Sequence, residues 1–277
     1  MKKGSDDSLD ELMASVLQSA HYRSVCPDAV RRIGAGELAK RRKWKDAVRE
    51  TRSRLHQIAG AYLDSIPPYC RWIADLRAAP DTETLHGELR RMMRAHASTR
   101  ERLPILETFY VQTLAPARPI RSVVDIACGL NPLALPWMDV EAGARYHACD
   151  LYSDMMDFVG AALEVPFLSL QAHISTESRD LVSGPPEIEA DLALVLKFLP
   201  LLEQAGGISA LNWLRKLKTR WALVSFPTKT LGGRNVGMAS SYEARFRETL
   251  DQGGWVAHRF IFPGELCFLL RLRSANE

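Results

Sequence analysis

A glycine turn follows a buried apolar strand in the stretch VVDIACGLNPLALPW, residues 123–137. Asp125 lies in the strand, and Gly129 allows a tight turn that exposes backbone N–H groups to a ligand. A second apolar segment, YHACD, ends in Asp150, 25 residues after Asp125. An acidic side chain at the tip of the second strand of an α/β sheet accepts hydrogen bonds from ribose hydroxyls. The two motifs therefore predict a site for an adenosine group.

The number of glycines in this turn restricts the cofactor. A dinucleotide fingerprint, G-x-G-x-x-G, needs three glycines, whereas Gly129 is followed by Leu130, Asn131 and Pro132. NAD and FAD are therefore disfavoured. S-adenosylmethionine (SAM) has no phosphate, so one glycine beside an acidic residue is sufficient for it. An ordinary strand-to-helix turn is the alternative interpretation of this motif.

Two further segments carry side chains that could face a substrate at the carboxyl edge of the sheet, where open α/β sheets bind ligands. Lys197 follows a strictly apolar strand, so it is either a site residue or a lysine that extends from the strand end into solvent. The loop at 225–238 carries the cation Arg234 and the apolar Met238 beside two glycines. Such a loop fits either a flap over substrate or a surface connection.

The segment HASTRER, residues 96–102, places a histidine, two hydroxyls, two arginines and a glutamate just before the sheet. An arginine here could bind the carboxylate of a methionine group through two parallel hydrogen bonds. A structural salt bridge explains the same residue types equally well.

Missing motifs restrict the reaction. Methylation of exocyclic amines commonly uses a [D/N/S]-P-P-[Y/F/W] motif after the fourth strand, where this chain reads LKFLPL. Methylation of pyrimidine C5 needs a nucleophilic cysteine near the cofactor, but Cys128 lies inside the strand turn and the other cysteines are dispersed. Guanine N7 has a free lone pair and no proton to remove, so its methylation needs positioning without a general base. The absence of an evident base therefore favours guanine N7.

Alternating strands and helices are predicted to position these residues. A Pro263-Gly264 turn predicts that the last two strands form an antiparallel hairpin. Seven strands with a reversed terminal hairpin are the arrangement of the class I SAM-dependent methyltransferases, a Rossmann-like α/β fold. Helical periodicity upstream predicts an all-α N-terminal domain, so we expect a helical domain at 1–104 and a methyltransferase domain at 105–277. The predicted strands lie near 122–127, 145–149, 166–172, 190–196, 221–226, 255–262 and 266–272.

The basic charge is concentrated in the helical region. Residues 21–56 contain 11 Lys and Arg against 4 Asp and Glu, a net charge of +7, while the whole chain carries +3. This density predicts docking on RNA phosphates, although a solvated helix face has the same composition. Removing these charges is expected to weaken RNA binding and to leave SAM binding unchanged. The predicted RNA-binding residues are Arg31, Arg32, Arg41, Arg42, Lys43, Arg52 and Arg54.

Other sequence features restrict the possible cellular compartment and binding partners. The five cysteines are dispersed without a C-x-x-C pair or a Cys/His cluster, so we expect reduced thiols and no metal site. The N-terminus has no apolar signal-peptide core, and the sequence has no apolar run of about 18 residues. No large apolar face accompanies the basic residues, which disfavours a membrane surface. We therefore expect a cytoplasmic protein without a membrane partner.

Five segments together resemble a known family: HASTRER, DIACGLNPLALPW, ACD, LVLKFLPLLEQ and SFPTKTLGGRNVGM, in this order. They are similar to the aminoglycoside-resistance methyltransferases that modify guanine N7 in 16S ribosomal RNA. VRRI and TRSRLHQIAGAYL extend the resemblance into the helical region. The resemblance implies SAM as the methyl donor and the decoding A site of 16S rRNA, within the assembled 30S subunit, as the target. It also implies a helical RNA-docking domain, and we expect a monomer.

The resemblance also implies roles for individual residues. Lys197, Arg234 and Met238 match target-side positions and would position the target without acting as a general base. His173 and Ile174 would contact the adenine, although the segment around them matches the family pattern poorly. The other cofactor contacts would fall on His96, Ala97, Ser98, Thr99, Arg100, Glu101, Arg102, Ala127, Gly129, Asp150, Leu196 and Gln204.

Two alternatives stay open at this point. A methyltransferase that acts on another rRNA site, such as a neighbouring adenine, would share the cofactor site and differ in the loop at 225–238. A non-catalytic ribosome-binding protein on a relic fold would lack affinity for SAM.

Overall fold

The structure, a computed structural model of the 277-residue chain, describes residues 5–58, 62–63, 65–165, 171–228 and 238–272. None of the described helices combines the length and the apolar composition that a membrane crossing needs. The helices are α1 (Ser5–Leu17), α2 (Pro27–Lys40), α3 (Trp44–Ile58), α4 (Tyr69–Ala78), α5 (Thr82–Met93), α6 (Ala97–Arg102), α7 (Leu106–Leu114), α8 (Ser153–Leu163), α9 (Leu199–Gly206), α10 (Ala210–Leu214) and α11 (Met238–Gly253).

The first helices form where apolar side chains recur at helical spacing. In α2, Pro27 stands in the first turn, where a missing N–H is tolerated, and Val30 and Ile33 are buried. The carboxylate of Asp81 accepts a hydrogen bond of 2.8 Å from the N–H of Thr84, which caps α5. The helices that the periodicity of the N-terminal sequence predicts are therefore confirmed over these segments.

The described strands form one mixed sheet: β1 (Ser122–Ile126), β2 (Arg145–Asp150), β3 (His173–Ser178), β4 (Glu189–Leu196), β5 (Lys218–Pro227), β6 (Val256–Phe262) and β7 (Glu265–Arg271). Their order is β3-β2-β1-β4-β5-β7-β6. β1 to β5 are parallel, and β7 is antiparallel to both β5 and β6. Every residue of β1 is buried, because helices cover both faces of the parallel strands.

The predicted terminal hairpin is confirmed, but the predicted third strand is wrong. The strand expected at 166–172 is β3, at His173–Ser178, and residues 166–170 lie outside the described residues. β3 is one of the two edge strands of the sheet, and none of its side chains is fully buried. Its sequence, HISTES, is therefore polar, and an apolar run is a poor guide to such a strand.

One hydrophobic cluster joins the helices to the sheet. It contains Leu12 of α1, Leu89 of α5 and Tyr110 of α7 together with Tyr146 and Leu194 from the strands, and none of these is more than 1% exposed. Separating the two regions would therefore expose apolar surface on both. The division into domains at residue 104 stays a prediction.

Candidate functional site

A cavity of about 780 Å³, including its open mouth, lies at the carboxyl edge of the parallel strands. We call it the edge cavity. It lies where open α/β sheets bind ligands. It is lined by Ile58, Tyr62, Leu63, His96, Ser98, Ala127, Asp150, Leu151, Tyr152, Met155, Arg179, Asp180, Leu181, Val182, Leu196, Lys197, Phe198, Leu201 and Ala205.

Asp150, at the end of β2, holds the glycine turn that follows β1. Its Oδ2 accepts a hydrogen bond of 2.8 Å from the N–H of Gly129, and its Oδ1 accepts one of 2.6 Å from the N–H of Leu151. Burial raises the pKa of the Asp150 carboxyl, and the backbone N–H donors offset this only in part. Each carboxylate oxygen has a further lone pair, so Asp150 can also accept hydroxyl groups of a ligand.

Two cavity residues have a left-handed backbone without being glycine. The φ angle is +50° at Ala127, after β1, and +59° at Lys197, after the neighbouring β4. Such conformations cost about 1–3 kcal/mol each and persist where the surrounding structure imposes them. Strained backbone is therefore concentrated at the edge cavity, as is common at functional sites.

The ring of His96 forms part of the cavity wall. It stacks on Tyr62 with the ring centroids 5.8 Å apart, and its Nδ1 lies 2.9 Å from Ser98 Oγ. Burial, aided by the charge of Lys197, lowers the pKa of His96 to about 4. Burial, aided by the charge of Glu101, raises the pKa of Tyr62 to about 12. At pH 7 the cavity therefore meets a neutral imidazole and a protonated phenol.

Lys197 is fixed by two carboxylates. Its Nζ lies 2.6 Å from Glu101 Oε2 and 3.6 Å from Glu265 Oε2, and its side chain is only 5% exposed. The alternative of a lysine that extends into solvent is therefore wrong. Burial opposes ionisation of Glu265, but the charges of Arg102 and Lys197 dominate and hold the pKa of this carboxyl below its usual value.

Arg102 forms the salt bridge that was the alternative interpretation of HASTRER. Its Nε and Nη2 donate to the two Glu265 carboxylate oxygens at 3.2 and 2.7 Å, and its Nη1 donates to Asn131 Oδ1 at 2.8 Å. The side chain is 1% exposed, so this guanidinium is not free for a methionine carboxylate. Only His96 and Ser98 of the segment line the edge cavity.

The remaining residues of HASTRER form contacts away from the edge cavity or with one of its lining residues. Thr99 Oγ1 donates to the carbonyl oxygens of Met93 and His96, and Glu101 contacts Lys197. Arg100 is exposed and donates to the carbonyl of Arg94 at 3.1 Å. Ala97, Thr99, Arg100, Glu101 and Arg102 are not among the residues that line the edge cavity.

The family model of ribosomal RNA methyltransferase (FmrO) matches residues 18–269 of this chain. The chain belongs to this family. A 16S rRNA (guanine(1405)-N(7))-methyltransferase from Frankia casuarinae is 37% identical over 272 residues, which cover 96% of this chain and 94% of the relative. A protein of the same name from Serratia marcescens is 36% identical over 266 residues, which cover 95% and 98%.

Solved structures agree with the family. The crystal structure of the 16S rRNA methyltransferase RmtF in complex with S-adenosyl-L-homocysteine is 32% identical with a TM-score of 0.80, and covers 99% of this chain and 100% of that one. The 16S rRNA methylase RmtB is 32% identical with a TM-score of 0.78, and covers 96% and 98%. The predicted class I SAM-dependent methyltransferase fold is therefore confirmed.

In this FmrO family member, the adenine contacts predicted at His173 and Ile174 are wrong. Both residues begin β3, whereas Ser178 at its other end pairs with Asp150. A strand rises about 3.3 Å per residue, so His173 lies roughly 16 Å from the carboxyl end of β3. The segment that follows β3, residues 179–182, lines the edge cavity instead.

Only some of the other predicted site residues line the edge cavity. Ala127, Asp150, Leu196 and Lys197 line the edge cavity, while Gln204 lies in a neighbouring groove between α2, α3 and α9. Arg234 lies outside the described residues. Met238 begins α11, and the structure describes its backbone only. The roles of Arg234 and Met238 stay predictions.

Four of the predicted RNA-binding residues contact other parts of this protein. Arg41 and Arg54 pair with the buried Glu37 at 3.2 and 2.7 Å. Arg52 Nη2 donates to a carbonyl of α1 at 2.7 Å, and Arg32 pairs with the segment after β3. Their remaining capacity for RNA is therefore reduced.

The other three predicted RNA-binding residues are exposed. Arg31 lies 3.6 Å from Asp10 on the surface, an ion pair of little energetic weight. Arg42 and Lys43 stand between α2 and α3 and form no ion pair with any described residue. These two side chains are the ones most available to phosphates.

The helical region also supplies cavity residues that the sequence motifs missed. Ile58, Tyr62 and Leu63 line the edge cavity, and Leu63 forms an isolated β-bridge with His96. Glu265, which fixes Lys197 and Arg102, was missed as well. Periodicity in the sequence indicates the helix or strand in which each residue lies, but it does not indicate which distant residues it contacts. Among the described residues, no group of His, Cys, Asp or Glu side chains could hold a metal ion.

Proposed function

We propose that this protein transfers the methyl group of SAM to N7 of guanine 1405 in 16S rRNA, the position given in the names of its curated relatives. The observation that carries the proposal is the hydrogen bond from the Gly129 N–H that holds Asp150, a residue lining the edge cavity at the carboxyl end of β2. This modification in the decoding A site would confer resistance to aminoglycosides.

The edge cavity fits SAM. Asp150 offers carboxylate oxygens to ribose hydroxyls, while Gly129 does not line the cavity and donates its N–H to Asp150. Leu151, Leu181 and Val182 supply apolar walls for an adenine ring. SAM supplies an electrophilic methyl group on a positively charged sulfur.

The groups around the cavity suit transfer to guanine N7. The N7 lone pair forms the new carbon–nitrogen bond, the carbon–sulfur bond breaks with its electron pair going to sulfur, and the guanine gains the positive charge. No proton has to move. His96 is neutral with one ring nitrogen engaged by Ser98, and Lys197 is held by carboxylates, so neither is poised as a base. The protein contributes positioning and exclusion of water.

The target guanine lies within a helix of the ribosomal RNA, so we infer that it is flipped out to reach the methyl group. Arg234 would clamp its phosphate and Met238 would support the extruded base. Arg42 and Lys43 would hold the surrounding rRNA of the assembled 30S subunit through its phosphates. The enzyme would act as a monomer in the cytoplasm.

Methylation at N7 places a fixed positive charge and a methyl group on the guanine edge. Aminoglycosides are polycations that use such edges for hydrogen bonding, so they would be repelled and sterically blocked. Cells that express the protein should therefore resist kanamycin- and gentamicin-type drugs.

Mapping the modified nucleotide tests this function. Purified 30S subunits are incubated with the protein and methyl-labelled SAM, and the labelled nucleotide is located in the 16S rRNA. We expect 7-methylguanine at position 1405. A label on a neighbouring adenine would assign the protein to another rRNA site, and a chain that binds 30S without SAM affinity would be a non-catalytic ribosome-binding protein.

A further inference from the structure

A side chain of the helical region holds a segment of the cofactor site. Arg32, on α2, donates from Nε to Asp180 Oδ2 at 2.6 Å and from Nη2 to Asp180 Oδ1 at 3.0 Å. The two parallel hydrogen bonds give this ion pair a fixed geometry as well as its energy. The Asp180 side chain is 5% exposed and that of Arg32 is 30% exposed, so the pair is shielded from water on the carboxylate side.

Asp180 belongs to the segment that follows β3, residues 179–182, which we call the β3 segment. All four of its residues line the edge cavity. The Asp180 carboxylate also accepts hydrogen bonds from Val182 N–H at 3.3 Å and from Ser183 Oγ at 3.0 Å. A shift of this one carboxylate would therefore move the apolar wall formed by Leu181 and Val182.

The β3 segment has further anchors: the N–H of Arg179 donates to the carbonyl of Asp150 at 2.8 Å, and α10 holds Leu181. The indole N–H of Trp213, on α10, donates to the carbonyl of Leu181 at 2.9 Å. The neighbouring Arg179 contacts a different carboxylate, since its Nη1 donates to Glu177 at 2.7 Å. With Arg32 removed, the segment would stay attached at Arg179 and Trp213, but the Asp180 carboxylate would lose its partner on α2.

We propose that Arg32 is a positioning residue for the cofactor, which acts through Asp180 to hold the β3 segment in the shape that binds the adenosine group of SAM. This inference rests on the proposed function, since it takes SAM as the ligand of the edge cavity. For Arg32 it predicts the opposite of the expectation from the sequence, that removing the basic charges leaves SAM binding unchanged. The helical region is then part of the cofactor site in addition to docking RNA.

Isothermal titration calorimetry with SAM and with S-adenosylhomocysteine tests the inference in the full chain. We expect Arg32→Ala to weaken the binding of both ligands about tenfold, which corresponds to about 1.4 kcal/mol. Arg32→Lys keeps the charge without the planar fork, so its affinity should fall about threefold. Arg49→Ala is the matched control, because Arg49 is an exposed arginine of α3 whose ion-pair partners, within the described part of the chain, are its helix neighbours Asp46 and Glu50. Its SAM affinity should equal that of the wild type.

A second set of measurements separates positioning from a general loss of stability. The KM for SAM should rise in Arg32→Ala at saturating 30S, with the thermal midpoint of the ligand-free chain within a few degrees of wild type. Adding Arg32→Ala to Asp180→Asn should weaken SAM binding no further, because both changes act on one pair.

Equal SAM affinity in wild type, Arg32→Lys and Arg32→Ala would overturn the inference. If Arg32→Ala does not fold, the comparison of Arg32→Lys with wild type decides it alone. A wild-type chain that binds neither SAM nor S-adenosylhomocysteine would overturn the proposed function itself.

Discussion

The imidazole ring of His96 occupies the space in which a side chain at Gly129 would lie. A Cβ atom at this position would stand 2.7 Å from two atoms of the ring, closer than real side chains approach. Gly129 also has a φ angle of +53°, which disfavours any residue with a Cβ. Two separate reasons therefore require glycine at position 129: its left-handed backbone conformation and the closeness of the His96 ring.

Gly129→Ala should displace His96 and disturb the N–H that Asp150 binds. We expect at least a tenfold loss of SAM affinity and a decrease of about 3 kcal/mol in the free energy of unfolding, from left-handed strain plus overpacking. Gly143→Ala separates the two effects, since Gly143 has a φ of +75° but open space around its Cβ position. It should cost about 1 kcal/mol and leave SAM binding unchanged. Equal SAM affinity in both variants would contradict the role of the His96 contact.

Asp150→Asn should weaken SAM binding about 10- to 100-fold, because an amide has one acceptor oxygen where the carboxylate has two and hydrogen bonds to charged groups are the stronger ones. Calorimetry with SAM measures this change. Asp157→Asn is the control, as Asp157 is exposed on α8 and does not line the edge cavity. Unchanged affinity in Asp150→Asn would remove Asp150 from the cofactor site.

Asp125→Asn should change how stability depends on pH. Burial raises the pKa of Asp125 to about 7, against an ordinary value of 3.8. The folded chain therefore holds this proton more tightly than the unfolded chain, so the stability it contributes is complete below pH 3.8 and is lost as the pH rises through 7. Asparagine removes this titration. Urea unfolding should show wild type gaining about 2 kcal/mol relative to Asp125→Asn between pH 7.5 and 5. A constant difference would mean that Asp125 is ionised throughout.

The glycine turn, Asp150 and the reversed hairpin could be predicted because each depends on a local pattern. A buried strand reads as an apolar run, and Gly129 and Pro263-Gly264 mark the turns between elements. The third strand was misplaced because β3 lies at the sheet edge and its sequence alternates without a strong apolar face. That error moved the adenine contacts to His173 and Ile174, at the wrong end of the strand.

Pairs between distant residues could not be predicted. Arg32 meets Asp180 across 148 residues, and Arg102 meets Glu265 across 163. An arginine on an amphipathic helix has the same local signature whether it faces RNA or a buried carboxylate. Net charge therefore identified the basic region correctly, but could not show that Arg32 and Arg54 are engaged within the fold.

Replacing Arg42 and Lys43 together by alanine should weaken binding to 30S subunits roughly tenfold at low salt, and should flatten the plot of log affinity against log salt concentration by about one to two units. SAM affinity should not change, since neither residue lines the edge cavity. Lys216→Ala removes an exposed charge outside the helical region and is the control. An unchanged salt slope in the double variant would identify the two residues as part of a solvated surface.

Methyl transfer with SAM and 30S both bound should vary little between about pH 6.5 and 8.5. Guanine N7 loses no proton, and two titratable groups of the cavity wall keep one state over this range: the pKa of His96 is lowered to about 4 and that of Tyr62 is raised to about 12. Asp125 titrates near pH 7, but it is buried against Asn131 and Tyr146 and does not line the cavity, so saturation with both substrates removes its effect on binding. Single-turnover assays at several pH values measure the rate. A tenfold rise per pH unit would require a base with a pKa in this range, and it would contradict a transfer that depends on positioning alone.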